Sequence, residues 1–66
     1  MKKNTLYKHI QAIDVVFQPT VIVDDGDCLS MNGIWYNIST GSLYPIAKDK
    51  IKLKKEEIQN WEVYEE

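Results

Sequence analysis

Short apolar segments separated by single glycines fill the middle of the chain, over residues 20–46. Within these segments apolar and polar residues alternate, a pattern typical of antiparallel strands that bury one face. Gly26, Gly33 and Gly41 stand where the alternation is interrupted. The pattern therefore predicts a β-meander, with residues 28–38 as its best-defined hairpin.

The clearest turn signal is Asn32-Gly33. Both central residues of a type I′ turn have positive φ, which Asn tolerates and Gly adopts freely. A two-residue turn here would pair Met31 with Ile34, and the next pair on that face would join Leu29 and Tyr36. On the opposite face it would place Ser30 against Trp35 and Cys28 against Asn37.

Two further turns are predicted at Thr40-Gly41 and Asp25-Gly26. The first would place Ile38 opposite Leu43 and Tyr36 opposite Pro45, and the second would place Ile22 opposite Leu29. All three turns then agree on one core face. Its members are Ile22, Leu29, Met31, Ile34, Tyr36, Ile38 and Leu43.

The other face of the predicted meander is more apolar than an ordinary solvent face. Two interpretations are open. Either a tail or helix of the same chain covers this face, or it is an oligomer interface or ligand platform, since contiguous exposed apolar patches tend to mark one. Its apolar members are Val21, Val23, Trp35, Tyr44 and Ile46.

The N-terminal segment supports two interpretations. Leu6, Ile10 and Ile13 recur at helical spacing, which predicts a helix over about residues 5–14 with Asn4 or Thr5 as N-cap. Residues 13–17 also alternate and are rich in strand formers. The prediction is thus an α+β fold, a short N-terminal helix packed on an antiparallel β-meander of four to five strands, with an all-β small SH3-like barrel as the alternative.

Beyond the meander, residues 48–54 alternate lysine with other residues. This pattern predicts a strand whose lysines form a solvated edge, and the less favoured interpretation is a local anion site. One helical turn over residues 54–60 should carry Ile58 inward. A short final strand over residues 61–64 should pack Trp61 on the core, whereas Trp35 is expected on the second face.

Composition narrows the possible chemistry. The 66 residues make a single small domain with one Cys, one His and a formal net charge of −2. An internal disulfide is excluded, and no metal site or cofactor is expected. The aspartates of residues 24–27 lack the spacing of a calcium loop. No catalytic constellation or glycine-rich phosphate loop is present, so we expect no enzyme activity.

The same composition bears on partners. A chain this short is marginally stable alone, so a homo-oligomer is expected. With eight Lys, no Arg and ten acidic residues, nucleic acid is an unlikely partner by bulk charge. No apolar run is long enough to span a membrane and no signal peptide is evident, which predicts a cytoplasmic protein.

Two stretches resemble the small phage proteins of the Thoeris anti-defence type, which sequester cyclic nucleotide signals. Residues 29–33, Leu-Ser-Met-Asn-Gly, are similar to that family's strand and Asn-Gly hairpin, and residues 56–63, Glu-Glu-Ile-Gln-Asn-Trp-Glu-Val, to its closing acidic turn and Trp-Glu strand. The family usually carries basic residues and a Trp after its first helix, where this chain has Phe17 to Val23 without them. The resemblance implies a non-enzymatic, oligomeric, phage-encoded binder acting in the host cytoplasm, and no ligand contact is transferred from it.

The leading functional hypothesis is a small binding protein that sequesters a nucleotide-like signal or blocks a host protein. Contacts are expected from Trp35, Tyr44 and Lys50, with Val21, Val23 and Ile46 as ligand or interface residues. The alternative is a small β-barrel module that docks on protein or nucleic acid through Tyr36, Tyr44 and the lysines of residues 48–55. A third hypothesis is a structural subunit of a larger assembly.

Overall fold

Antiparallel strands make up most of the computed structural model, which describes residues 1–65. A 3-10 helix, Lys55–Asn60, precedes the last strand. The strands form one sheet in the order β4-β3-β2-β1-β5. They are β1 Tyr7–His9, β2 Val15–Asp24, β3 Cys28–Ser39, β4 Ser42–Lys54 and β5 Trp61–Val63.

The predicted N-terminal helix over residues 5–14 is wrong, and with it the α+β fold class. Within residues 1–65 the only helical segment is the 3-10 helix Lys55–Asn60. Tyr7 is buried in β1, where it lies opposite Phe17 of β2 and Val63 of β5. Ile10 and Ile13, which the helical pattern placed inward, are 57% and 89% exposed. An isolated helix of this length is marginal in water, and pairing on both sides of β1 satisfies the backbone instead.

The sheet curls strongly, which brings the all-β alternative close to the observed architecture. Trp35 of β3 and Trp61 of β5 have ring centroids 6.2 Å apart. In a flat sheet these two strands, separated by β2 and β1, would lie about 14 Å apart. The 3-10 helix contacts both β4 and β5, the two edge strands, and no pairing joins them within the described residues. The result is one curled antiparallel sheet, which no strand pairing among the described residues closes into a barrel.

The predicted turn at Asn32-Gly33 is also wrong, because β3 runs through it without a break. Gly33 lies opposite Pro19 on one side and Asp49 on the other. A Cβ on Gly33 would overlap the carbonyl oxygen of Gln18 and would lie 2.5 Å from Cζ of Phe17. Glycine is therefore present for close approach, a common reason for glycine inside a strand, and not for a positive φ.

A continuous β3 divides the predicted core face between the two sides of the sheet. Side chains alternate along a strand, so Leu29 and Met31 lie on the opposite side from Ile34, Tyr36 and Ile38. The pairs predicted across the Asn32-Gly33 turn therefore do not form. The buried core contains Phe17, Leu29, Met31 and Leu53, with Met1, Ile22, Trp35, Ile51, Ile58 and Trp61 packed around it.

The turn at Thr40-Gly41 is confirmed together with its register. Thr40 and Gly41 have φ values of 48° and 80°, Ile38 lies opposite Leu43, and Tyr36 lies opposite Pro45. The segment between β2 and β3 also turns where predicted, at Asp25-Gly26. Its register differs by two residues, however, because Ile22 lies opposite Met31 and not Leu29.

We predict that Gly33→Ala lowers the free energy of unfolding by about 1–3 kcal/mol, the usual range for overpacking a well-packed site. The added methyl group must displace either the Phe17 ring or the Gln18 backbone. Urea denaturation checks this. Gly41→Asn is the control, because its site is open and Asn tolerates positive φ. Equal midpoints for Gly33→Ala and the unchanged protein would contradict the packing role.

Candidate binding face

The clearest concentration of unpaired charge lies on β4. Lys48, Lys50, Lys52 and Lys54 are all exposed, while Ile51 is half-buried and Leu53 is buried on the other side of the strand. β4 is an edge strand, which confirms the predicted lysine-lined edge. Alternate residues of a strand lie about 6.6 Å apart, so the four ammonium groups form a row about 20 Å long.

Three of the predicted site residues lie on the same face as this row. Register aligns Val21, Asn32 and Lys50 across three neighbouring strands, and it aligns Val23, Ser30 and Lys52 in the next row. Val21 and Val23 are 48% and 50% exposed. We call the surface formed by these two rows together with Lys48 and Lys54 the lysine face. Across it the side chains change from apolar on β2, through small and polar on β3, to cationic on β4.

No carboxylate of residues 1–65 forms a salt bridge with a lysine of the lysine face. Asp49 belongs to β4, but its Oδ2 accepts a hydrogen bond from Nε1 of Trp35 at 3.1 Å, which draws it to the opposite side. Its Oδ1 accepts from the backbone N–H of Lys50 at 2.8 Å. Within residues 1–65 the only salt bridge joins Lys55 and Asp24. The four lysines of β4 therefore keep their charge available for a partner.

A shallow pocket of about 560 Å³ lies on this face above Gly33. Two cross-strand pairs frame it, Asn32 with Lys50 and Ile34 with Lys48. The pair between them, Gly33 and Asp49, faces the core side of the sheet by strand alternation, and the Asp49 carboxylate accepts there from Nε1 of Trp35. Both residues still line the pocket, and Thr20 lines its rim. The pocket thus offers two cations, one amide and one apolar side chain, with Asp49 as the one acidic residue of its lining.

The remaining predicted site residues lie elsewhere. Trp35 is on the core side, with its ring 4.9 Å from that of Phe17, so its predicted place on the second face is wrong. Trp61 packs against the same core, as expected. Tyr44 and Ile46 are each 55% exposed, but they lie towards the far end of the β3–β4 hairpin, where a bulge shifts the register of β4. The predicted apolar face is therefore not one continuous surface.

Sequence reasoning missed the residues that frame the pocket with Lys50. Asn32 and Ile34 were assigned to a turn and to the core face, and both assignments followed from the predicted Asn32-Gly33 turn. The alternation of lysines along β4 is the sequence signal that could have placed them correctly. A long edge strand needs a neighbouring strand of similar length to pair with, and this favours a continuous β3 over a turn at Asn32-Gly33.

Other chemistry is sparse among residues 1–65. They contain no group of three or more His, Cys, Asp or Glu side chains placed to hold a metal ion. His9 accepts a hydrogen bond at Nδ1 from the N–H of Gln11, at 3.1 Å, and its ring meets Trp61 edge-on at 5.1 Å. No helix in this part of the chain is long and apolar enough to cross a membrane.

At the base of β4, Lys55 is held away from the lysine face. Its Nζ lies 3.0 Å from Oδ2 of Asp24, and Oδ1 of the same carboxylate accepts from the N–H of Gly26 at 2.9 Å. The hydrogen bond from Lys55, followed by that from Gly26, lowers the pKa of Asp24. These contacts join the end of β2, the following turn and the start of the 3-10 helix.

We predict that this contact makes stability depend on pH in the acid range. A carboxylate whose pKa is lower in the folded state stabilises the fold above its unfolded pKa of about 4 and loses that contribution as pH falls through the folded pKa. Asp24→Asn should therefore flatten the fall in melting temperature between about pH 5 and pH 2. Asp25→Asn is the control, and equal slopes for both variants would contradict the role of Asp24.

We predict that Trp35→Ala destabilises the fold by about 3 kcal/mol, the lower end for a buried Trp, because the side chain is half-buried and loses its contact with Phe17. Tyr44→Ala is the matched aromatic control and should change stability by less than about 0.5 kcal/mol, as is usual for surface substitutions. Thermal denaturation followed by circular dichroism compares them. A folded Trp35→Ala variant with unchanged stability would contradict the core assignment.

Comparison of the chain with protein-family models, with curated proteins and with solved structures gives no match.

Proposed function

We propose that the chain is a non-enzymatic binding protein that sequesters an anionic, nucleotide-like ligand on the lysine face. The observation that carries the proposal is the pocket above Gly33, which Lys48 and Lys50 flank. Asp49 also lines this pocket, but its carboxylate oxygens already accept hydrogen bonds from Nε1 of Trp35 and from the N–H of Lys50. Its volume of about 560 Å³ falls within the range usual for small-molecule sites.

The groups around the pocket suit different parts of such a ligand. Lysine ammonium groups act as point charges for phosphate, and they do so without the fixed geometry of arginine. Ile34 offers apolar surface for a base or sugar, and the Asn32 side chain offers both donors and an acceptor. Because the site is open to water, its attraction for anions should weaken as salt rises.

The proposed setting is an anti-defence protein of a phage, acting in the host cytoplasm. Support comes from the sequence resemblance of residues 56–63, which lie in the 3-10 helix Lys55–Asn60 and the following Trp61–Val63 strand. Residues 29–33 lie inside continuous β3, so the hairpin half of the resemblance lends no support. Self-association is proposed through the exposed Val21 and Val23.

The second candidate is a small barrel module that docks on a larger acidic partner, such as a host protein. The observation favouring it is that the lysine row continues past the pocket to Lys52 and Lys54. Tyr44 is exposed and accessible to a partner, whereas Tyr36 is half-buried and its hydroxyl donates to Oε1 of Gln18 at 3.1 Å.

We predict that Lys50→Glu weakens nucleotide binding at least about tenfold, because it reverses one of two charges at the pocket and tenfold corresponds to 1.4 kcal/mol. Isothermal titration with adenosine diphosphate, a cyclic dinucleotide and inorganic phosphate measures the affinity. Native mass spectrometry of the same samples gives the stoichiometry.

Lys3→Glu is the matched control, since it makes the same charge change at an exposed residue that does not line the pocket. The proposal fails if none of the three probes binds, or if both variants lose affinity equally. Equal loss would indicate an effect of net charge and not of the pocket.

A further inference from the structure

The outer edge of β4 exposes main-chain groups at the same residues that carry the lysines. In an antiparallel pair, residues alternate between those bonded to the neighbouring strand and those whose N–H and C=O point away from it. The carbonyl of Cys28 accepts from the N–H of Asp25, so the main chain of Cys28 faces away from β4. Cys28 lies opposite Lys54, which makes this a pair without mutual hydrogen bonds.

Alternation along the unbroken register from Lys54 then gives the same geometry at Lys52, Lys50 and Lys48. Two contacts agree with it. The N–H of Lys55 donates to the carbonyl of Asp27, as expected for the bonded pair that follows. The N–H of Lys50 donates to the side chain of Asp49 and not to β3. Lys54 is the N-cap of the 3-10 helix, so the free edge runs over residues 48–52.

We propose that this edge binds an extended acidic polypeptide segment by strand addition. Main-chain hydrogen bonds would form at Lys48 and Lys52 and at the carbonyl of Lys50, whose N–H already donates to Asp49. Acidic side chains at alternate positions of the segment would lie beside the lysines. Both strands repeat every second residue at about 6.6 Å, so the charges stay in step along the edge. The proposal does not rest on nucleotide binding, because it concerns the main chain of β4 as well as its side chains.

A second copy of β4 fits this edge poorly. Antiparallel pairing of two free edges would join residues from the set 48, 50 and 52 to residues of the same set, so every such pair would place lysine opposite lysine. Like charges directly opposite each other destabilise a sheet. Nucleic acid also fits less well, because its phosphates accept hydrogen bonds and leave the carbonyls of the edge without donors.

The test uses a short synthetic peptide that alternates Glu with Thr, added to the full chain labelled for NMR. We expect saturating peptide to slow amide hydrogen exchange at Lys48 and Lys52 at least about tenfold. A tenfold effect corresponds to about 1.4 kcal/mol, which is near the upper end of the net stabilisation usual for one hydrogen bond. The amides of Ile51 and Leu53 already face β3 and should not change. The same peptide with every second backbone nitrogen methylated keeps its charge and should bind at least about tenfold more weakly.

A pair of variants tests the edge from the protein side. Lys52→Pro removes an outward N–H, and Lys52→Gln removes the same charge but keeps that N–H; proline is tolerated where the N–H faces solvent. Peptide binding should be weaker to the proline variant.

Equal binding of both peptides, protection of the same amides by single-stranded DNA, or no protection would each overturn the proposal. If the proline variant does not fold, the comparison of the two peptides decides whether strand addition occurs. Nucleotide titration of the unchanged protein tests the proposed function separately, so a failure of strand addition can be distinguished from a failure of nucleotide binding.

Discussion

The packing of the Phe17 ring against Gly33 is the contact on which the rest of the structure depends. Phe17 is fully buried, and the space it fills is the space that a side chain at position 33 would need. This contact requires Gly33 to lie within a strand, directly across from β2. A reversal of the chain at Asn32-Gly33 would remove the surface against which Phe17 packs and expose the largest fully buried side chain in residues 1–65.

A continuous β3 in turn allows a long β4. Because β3 extends for 12 residues, all of them can pair with the 13-residue β4, which presents its lysines as one uninterrupted edge. The curl of the sheet commits both tryptophans to the core, where Trp35 meets Phe17 and Trp61. The lysine face then consists of lysines, small polar residues and two valines, a composition that agrees with the proposed anionic partner.

The lysine face and the β4 edge use the same residues in two ways. Side chains of Lys48 and Lys50 flank a pocket of a size suited to a small anion. Main-chain groups of Lys48, Lys50 and Lys52 point outward along the sheet edge, where Asp49 already takes the place of a strand carbonyl at the Lys50 N–H. The lysines disfavour pairing of this edge with a second copy of β4, because like charges would lie opposite each other. They would favour pairing with an acidic strand, whose charges are opposite in sign.

The sequence by itself determined the features that depend on neighbouring residues. The Thr40-Gly41 turn with its register, the alternation of β4, and the inward Ile58 with Trp61 on the core all follow from local turn chemistry and spacing. The tertiary structure alone decided whether Asn32-Gly33 turns or extends, because the reason for that glycine is the Phe17 ring, 16 positions from Gly33 along the chain. It likewise decided that residues 7–9 pair with β2 and β5. Trp35 points inward for a related reason, because the absence of the turn at Asn32-Gly33 reverses the side of the sheet on which every later residue of β3 lies.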